Sequence, residues 1–157
     1  MKRIWAPWRI RYIRMGKPKG CILCDKPKEN KDKANYILFR GKKNFIMLNA
    51  FPYNPGHLMI SPYRHVANPG DLTESERNEH FEMATRSVKV LKAVFKCEGL
   101  NIGMNLGRVA GAGIYDHFHT HVVPRWNGDT NFMSVLSDVK VINEALEETY
   151  RKLVGKF

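Results

Sequence analysis

Short apolar runs separated by turn-forming residues dominate the first two thirds of the chain. Runs of about four to eight residues that are rich in β-branched and aromatic side chains, and bounded by Gly, Pro or Asn, are typical of strands. Gly-Lys-Lys (41–43) joins the first two runs, which predicts a β-hairpin. The predicted strands are residues 35–40, 44–49, 56–61, 99–107 and 116–124.

Helical periodicity appears in two later segments. Thr73, with Glu76 three residues on, predicts a capping box at the start of the first helix. Apolar residues at three- and four-residue steps predict one buried face that continues to residue 97. This face comprises Phe81, Ala84, Val88, Leu91 and Val94. A last helix is predicted over residues 138–153, with Val141, Ala145, Leu146, Tyr150 and Leu153 on its apolar side.

The order β-β-β-α-β-β-α, with short connections, predicts an α+β fold with a mostly antiparallel five-stranded sheet and two helices. The length indicates a single domain over residues 1–157, since the chain is long enough for one core and too short for two. Residues 1–35 read as an irregular, basic N-terminal arm that contains a CxxC pair. Its aromatic anchors are Trp5, Trp8 and Tyr12, and we expect them to pack on the domain or on a second subunit.

The net charge of +11 favours anionic partners, which include nucleotides, nucleic acid and acidic membrane surfaces. A solvated surface accounts for many of the same lysines. Seven Lys or Arg and no acid precede residue 20, so nucleic-acid binding by the arm is an alternative, although an arm held by its tryptophans is the preferred interpretation.

The uncharged stretch 44–63 is broken by Asn, Pro and Gly, so we expect no membrane span. The basic first residues lack the continuous apolar run of a secretory signal. Three cysteines cannot form a closed disulfide set, and we therefore expect a reducing cytoplasm. Cys97, within the helical pattern, reads as a small core residue.

Three of the six histidines alternate in Asp-His-Phe-His-Thr-His: His117, His119 and His121. On a strand they share one face, with Cα atoms of neighbours roughly 6.5–7 Å apart. This spacing suits a metal site, or one nucleophilic imidazole with two assisting neighbours. A simple polar strand is the third possibility.

A small-residue loop precedes this strand and includes Gly107, Gly111, Ala112 and Gly113. Such loops let backbone N–H groups approach a phosphate closely, although alone they are most often only turns. Next to histidines, the loop indicates phosphate binding with an imidazole that attacks phosphorus. Neutral imidazole suits this role near pH 7, because its ordinary pKa is about 6.5.

A second candidate site contains Cys21 and Cys24 of the CxxC pair, with His65 and one strand histidine. Thiolate and imidazole are the ligands that zinc prefers, in a tetrahedron of four. A redox pair or two unliganded thiols are the alternatives.

The chain resembles the histidine-triad superfamily of nucleotide hydrolases and transferases, most closely its bacterial diadenosine-polyphosphate phosphorylase branch. The resemblance rests on His-Phe-His-Thr-His-Val-Val (117–123), and extends to the segment 45–66, Asn-Leu-Gly-Arg-Val-Ala-Gly-Ala-Gly (105–113), residues 124–132 and the N-terminal Trp-Ala-Pro-Trp-Arg with its CxxC. Thr120 departs from the pattern, since the superfamily has an apolar residue there.

The resemblance implies a histidine-triad fold, a homodimer and a covalent nucleotidyl-histidine intermediate on His119. It also implies zinc as a structural metal and no organic cofactor. The implied catalytic residues are His119, His121 and His57; the implied nucleotide-binding residues are Asn49, at the ribose, and Asn105, Gly111 and Gly113, at the phosphates; the implied metal ligands are Cys21, Cys24, His65 and His117.

Gly113 departs from the family, which usually has Gln or Ser at this position. The loss of one side-chain hydrogen bond costs roughly 1–3 kcal/mol of phosphate or transition-state binding. A zinc-containing nucleotide-binding protein with little catalytic activity is therefore the main alternative to a nucleotide hydrolase or nucleotidyltransferase. Two further alternatives are a metal site that uses all three strand histidines, and a basic nucleic-acid-binding module.

Overall fold

A five-stranded antiparallel sheet forms the centre of the computed structural model, which describes residues 20–129 and 144–157. The strand order is β1-β2-β3-β5-β4, and every neighbouring pair is antiparallel. The strands are β1 (Ile37–Arg40), β2 (Asn44–Leu48), β3 (Leu58–Pro62), β4 (Gly99–Gly103) and β5 (Thr120–Arg125). The helices are α1 (Ile22–Lys28), α2 (Asp32–Asn35), α3 (Glu74–Phe95) and α4 (Leu146–Leu153), with 3₁₀ turns at Pro69–Asp71 and Arg108–Ala110. The predicted fold class and hairpin are confirmed.

Both faces of the central strands are covered. Every residue of β2 and β3 is buried. Alternate residues such as Ile46 and Ile60 pack in the main core with helices α3 and α4, while Phe45 and Met47 pack on the opposite face with Leu23 of α1. This two-sided burial follows from the period of two along a strand, and it explains why these strands read as continuous apolar runs.

Helix α3 begins with the predicted capping box, in which Thr73 and Glu76 exchange hydrogen bonds. The predicted buried face is partly wrong, because Phe81 is 72 % exposed. The buried face instead includes three polar side chains, so hydrophobicity alone misplaces it; its residues are Glu76, His80, Met83, Ala84, Ser87 and Leu91.

The bounds of β4 and β5 differ most from the prediction. β4 ends at Gly103 instead of residue 107, since its one partner among the described strands is β5 and that ladder ends where Gly103 pairs with His121. β5 begins at Thr120 instead of residue 116. Residues 116–119 lie outside the ladder, and isolated bonds hold them, including Phe118 N–H to the Val66 carbonyl at 2.6 Å.

The segment around the CxxC pair is helical, so the prediction of an irregular arm is wrong for its described part. Helices α1 and α2 occupy it, and α1 packs Leu23 against the sheet. At the other end, α4 begins only at Leu146, because Ala145 has an extended backbone. The aromatic anchors of the arm and residues 138–143 of the predicted last helix lie outside the described residues. Among the helices in 20–129 and 144–157, none combines the length and apolarity needed to cross a bilayer.

Candidate active site and metal centre

The three alternating histidines contact different parts of the molecule. The ring of His117 lies beside His65, with centroids 5.0 Å apart, whereas the rings of His119 and His121 lie 4.9 Å apart. The side chains between them, Phe118 and Thr120, are buried on the opposite face, as the predicted alternation requires. One histidine therefore belongs to one cluster and two belong to another.

His117 faces the CxxC pair. Its Nε2 lies 2.9 Å from the carbonyl oxygen of Pro62. A carbonyl only accepts hydrogen bonds, so Nε2 carries the proton and Nδ1 keeps its lone pair. Nδ1 lies 3.2 Å from Sγ of Cys21 and 3.3 Å from Sγ of Cys24. The free lone pair of this buried ring is thus directed at the two thiols.

The four predicted metal ligands come together. Nδ1 of His65 lies 3.3 Å from Sγ of Cys24, and the ligand atoms of all four side chains lie within 4.8 Å of one another. Ligand atoms of a tetrahedral zinc site are roughly 3.5 Å apart across an S–N edge, so the spacing fits. Burial and the neighbouring Cys21 raise the pKa of Cys24 to about 11. A dication would reverse this effect, since it favours the thiolate. Cys21, Cys24, His65 and His117 could therefore hold a metal ion.

The beginning of α1 explains how the two thiols converge. Cys21 is the N-cap of the helix, and its carbonyl accepts hydrogen bonds from the backbone N–H groups of Cys24 and Asp25. The first turn of α1 therefore brings Cys21 and Cys24, which are three residues apart, to the same side. A metal at this place would tie α1 to the loop before β5.

His57 and His121 form the second cluster, in which backbone contacts again fix the protons. The backbone N–H of Tyr53 donates to Nδ1 of His57 at 3.0 Å, so the proton of the neutral ring is on Nε2. This Nε2 lies 2.9 Å from Nδ1 of His121 and donates to it. His121 therefore carries its own proton on Nε2.

His119 has the complementary arrangement. Its Nδ1 lies 2.8 Å from the carbonyl oxygen of His117, so Nδ1 carries the proton and Nε2 keeps a lone pair. Burial lowers the pKa of His119. Burial, and then the neighbouring imidazoles, lower the pKa of His57 to about 3 and that of His121 to about 4. The rings are thus neutral at pH 7, with one nucleophilic nitrogen on His119 and one hydrogen-bond donor on His121.

A tight turn places His57. Gly56 precedes it with a φ of +80°, and a Cβ there would lie 3.1 Å from Phe95 and from Pro124. Both the left-handed backbone and the close packing therefore require glycine. Asn54 is 3 % exposed and donates to the carbonyl of Pro124 at 2.7 Å, which holds the turn against β5.

A cavity of about 290 Å³ opens beside His121. Asn105, predicted to bind nucleotide, lines it together with Tyr53, Asn101, Val123 and Arg125. His119 is 5 % exposed and does not line this cavity, but its ring is adjacent to that of His121. Asn49 sits next to His57: the backbone N–H of Phe51 donates to its Oδ1, and its Nδ2 lies 3.5 Å from Nε2 of His57.

In the small-residue loop, the local backbone favours glycine at Gly111 but not at Gly113. Gly111 has a φ of +85° after the 3₁₀ turn Arg108–Ala110, so its backbone favours glycine. Gly113 has no such backbone, and a Cβ there would meet no atom within 4 Å. The absence of a side chain at residue 113 is therefore not imposed by the local structure.

The sequence interpretation missed Tyr53, Asn101, Arg125 and His80. Tyr53 contacts His57, with ring centroids 4.7 Å apart, and Arg125 donates to both Asp129 and Asn101. A signal was available for His80 only, because it lies at helical spacing from the buried Met83, Ala84 and Leu91.

A family model described as the HIT domain matches residues 30–128, which include the strands, helix α3 and all three alternating histidines. This is more than half of the chain. The chain belongs to the HIT family. The resemblance in the sequence is thus confirmed, and the matched residues include the alternating histidines on which it rests.

Similar HIT proteins bear names that concern dinucleoside polyphosphates. The chain is 37 % identical, over 165 aligned positions, to a protein of Mycobacterium tuberculosis named AP-4-A phosphorylase, with 100 % of this chain and 85 % of that protein covered. It is 33 % identical over 96 residues to the asymmetrical bis(5'-nucleosyl)-tetraphosphatase of Schizosaccharomyces pombe, with 61 % and 52 % covered. A solved zinc-bound histidine triad protein of Mycobacterium smegmatis has the same fold, with a TM-score of 0.71, 23 % identity and coverage of 87 % and 92 %.

Proposed function

We propose that this HIT protein cleaves dinucleoside polyphosphates by transferring a nucleotidyl group to Nε2 of His119. The observation that carries the proposal is the 2.8 Å bond from Nδ1–H of His119 to the His117 carbonyl, which leaves Nε2 unprotonated. The names of relatives at 37 % and 33 % identity support the substrate class.

The first step forms one bond and breaks one bond. The lone pair on Nε2 of His119 attacks the α-phosphorus, and the bond from that phosphorus to the bridging oxygen breaks. The departing polyphosphate keeps the electron pair. The nucleotidyl-imidazole retains its Nδ1 proton, and the His117 carbonyl, which accepts that proton's hydrogen bond, stabilises the positive charge that develops on the ring.

His121 and His57 assist this step without titrating. His121 lines the cavity, and its Nε2–H would donate to a phosphate oxygen as charge develops there. His57 keeps His121 in this tautomer through the 2.9 Å bond to Nδ1. Because burial and neighbouring imidazoles keep both pKa values low, the donor remains in place across the neutral range.

The acceptor in the second step is inorganic phosphate on this proposal. An oxygen of phosphate attacks the α-phosphorus, the P–N bond breaks, and His119 regains its lone pair. From diadenosine tetraphosphate the two steps give ATP and ADP, whereas water as acceptor would give ATP and AMP. The full length of this chain aligns with the mycobacterial protein named AP-4-A phosphorylase, and that name favours phosphate as the acceptor.

Zinc is the metal that we propose for Cys21, Cys24, His65 and His117. Two thiolates and two imidazoles suit zinc among the common divalent ions. When bound, the ion would supply a structural tie and no reacting group. The chain's own contribution is the Pro62 carbonyl, which fixes the lone pair of His117 on Nδ1.

We also propose a homodimer in a reducing cytoplasm. Strand β4 is at the edge of the sheet, and Ile102 and Met104, on and just after it, are each 49 % exposed. An exposed edge with apolar side chains is a common pairing surface. Sedimentation equilibrium would test it: a monomer at micromolar concentration would contradict the dimer.

Product analysis tests the proposed reaction. Diadenosine tetraphosphate is incubated with the zinc-loaded protein, with and without inorganic phosphate, and nucleotides are separated by chromatography. Production of ADP and ATP that depends on phosphate supports a phosphorylase, and AMP and ATP without that dependence support a hydrolase. Binding of the substrate without either product would favour the alternative of a nucleotide-binding protein.

A further inference from the structure

The candidate nucleophile lies just outside the sheet. The β3–β5 ladder begins where Thr120 pairs with Ile60, so ladder bonds do not fix His119. The bond from His119 to the His117 carbonyl joins two residues of one short segment. It orients the ring relative to that segment but does not orient the segment relative to the protein.

His80 contacts both neighbours of His119. Its Nε2 lies 2.8 Å from Oγ1 of Thr120, and its ring centroid lies 5.1 Å from that of Phe118. His80 is 6 % exposed and projects from α3 toward the back of the catalytic segment. His80 therefore contacts the residue before His119 in the sequence and the residue after it.

The hydrogen bonds of His80 have a defined direction. Nδ2 of Asn44 donates to the Glu76 carbonyl and to Oε2 of Glu79, so its Oδ1 faces His80 at 2.9 Å. Nδ1 of His80 must then be the donor, and Nε2 accepts from the hydroxyl of Thr120. The hydroxyl at a position where the family has an apolar residue thus has a specific partner.

The far end of this chain of bonds is anchored in the β1–β2 hairpin. The Glu79 carboxylate accepts the backbone N–H groups of Lys42, Lys43 and Asn44 at 2.7 Å each. Burial lowers the pKa of His80 to about 4, so the ring stays neutral and keeps one donor and one acceptor. The donors and acceptors of this hydrogen-bond network are fully satisfied, and such networks are rigid.

We propose that His80 is a positioning residue for His119, which acts through the hydroxyl of Thr120 to set the direction of the nucleophilic Nε2. The inference rests on the proposed function of His119. Loss of the His80–Thr120 bond should slow the chemical step while substrate binding is little changed, because a misplacement of about 1 Å costs on the order of 100-fold in rate.

Two substitutions of His80 separate its two bonds. The amide of His80→Asn reaches the place of Nδ1 and can keep the bond to Asn44, but it cannot reach Thr120. The longer amide of His80→Gln reaches the place of Nε2 and can accept from Thr120, but it loses Asn44. We expect the single-turnover rate of nucleotidyl transfer to fall roughly 10- to 100-fold in His80→Asn and less than about 5-fold in His80→Gln, with KM within about 3-fold in both.

Thr120 supplies the reciprocal test. Thr120→Val keeps the shape and removes the donor, and Thr120→Ser restores it. Leu153→Ala, fully buried in the main core on helix α4 and outside the cluster that contains Phe118, is the control for loss of stability. Thr120→Val should lose rate, Thr120→Ser should regain most of it, and Leu153→Ala should lower Tm without a change in kcat.

The ring of His119 can be followed independently of turnover. Long-range ¹H–¹⁵N spectra should give the Nδ1–H tautomer of His119 in every variant, because the bond to the His117 carbonyl lies within the segment. The ring ¹H and ¹⁵N shifts of His119 should change in Thr120→Val and His80→Asn and keep their wild-type values in Thr120→Ser. Equal rates or equal spectra in folded His80→Asn and wild type would overturn the positioning role. If the wild type forms no nucleotidyl adduct, the proposed function fails, and the spectra still decide whether His80 orients the ring.

Discussion

Two histidines of the same segment, His117 and His119, each donate to a backbone carbonyl, but they do so through opposite nitrogens. His117 gives its Nε2 proton to Pro62, which leaves Nδ1 for the cysteines. His119 gives its Nδ1 proton to His117, which leaves Nε2 for a substrate. The comparison teaches that the backbone acceptor, and not the residue type, decides which nitrogen of an imidazole in this segment keeps the lone pair that its proposed role, as metal ligand or as nucleophile, requires.

The largest expected effect is on activity. His119→Ala should lower kcat by roughly 10⁴-fold or more, because it removes the attacking atom itself. Zinc content and Tm should change little, since His117 and not His119 reaches the thiols. Rate measurements check the loss of kcat, and metal analysis with melting curves checks that zinc content and Tm are unchanged. A variant that loses its zinc would indicate that the two histidines share one site.

The second prediction concerns the metal cluster. His117→Ala, or removal of the metal by a chelator, should lower the free energy of unfolding by about 5 kcal/mol or more, which corresponds to a fall in Tm of roughly 10–20 °C. Below the new Tm, part of the activity should remain, because the ion contributes no reacting group. Calorimetry before and after the addition of Zn²⁺ measures the effect. Complete loss of activity without a change in Tm would contradict the division of roles.

The third prediction concerns pH. His57 and His80 have pKa values of about 3 and about 4, lowered by burial, against about 6.5 in the unfolded chain. The unfolded state therefore binds more protons, and the stabilisation that is complete above about pH 6.5 is lost as the pH falls toward 4. Each group should contribute a slope of about 1.4 kcal/mol per pH unit between about pH 6 and 5.

Denaturant titrations at several pH values measure this slope. His57→Gln removes one of the two groups, so its curve should be shallower by about one proton. Metal release also destabilises the protein at low pH, and the zinc content of wild type and variant must therefore be matched. Equal slopes in the two proteins would contradict the neutral, buried state of His57.

The smallest effect is expected at the small-residue loop. Gly113→Ser introduces a hydroxyl where a Cβ meets no atom, so Tm should stay within about 3 °C. One added hydrogen bond to a phosphate is worth about 1 kcal/mol, which corresponds to roughly 5-fold in kcat/KM. This change in kcat/KM is checked by measuring the rates of wild type and Gly113→Ser with phosphate and with water as the acceptor. An effect above 100-fold in either direction would give this residue a larger role than the structure supports.

Patterns in the sequence predicted the sheet and the capping box, whereas the choice of His117 to join His65 and the two cysteines came from the resemblance to the histidine-triad superfamily. It did not predict that β5 begins only at Thr120, since Asp-His-Phe-His alternates like a strand but is held by isolated bonds to Val66 and Ser61. Hydrophobic periodicity predicts Phe81 in the core, but the polar residues His80 and Ser87 are buried in α3 and Phe81 is exposed. The tautomers could not be predicted, since they depend on which backbone group the folded chain places beside each ring, whether distant in sequence, as Pro62 is from His117, or near, as His117 is to His119.

The central claim is that His119 carries the nucleotidyl group, and intact-protein mass spectrometry tests it most directly. The zinc-loaded protein is mixed with diadenosine tetraphosphate without phosphate and quenched within one turnover. We predict an added mass of AMP, labile in acid and located on the peptide that contains His119, in the wild type but not in His119→Ala. Product formation without an adduct at any time within one turnover, or an adduct on another residue, would contradict the account.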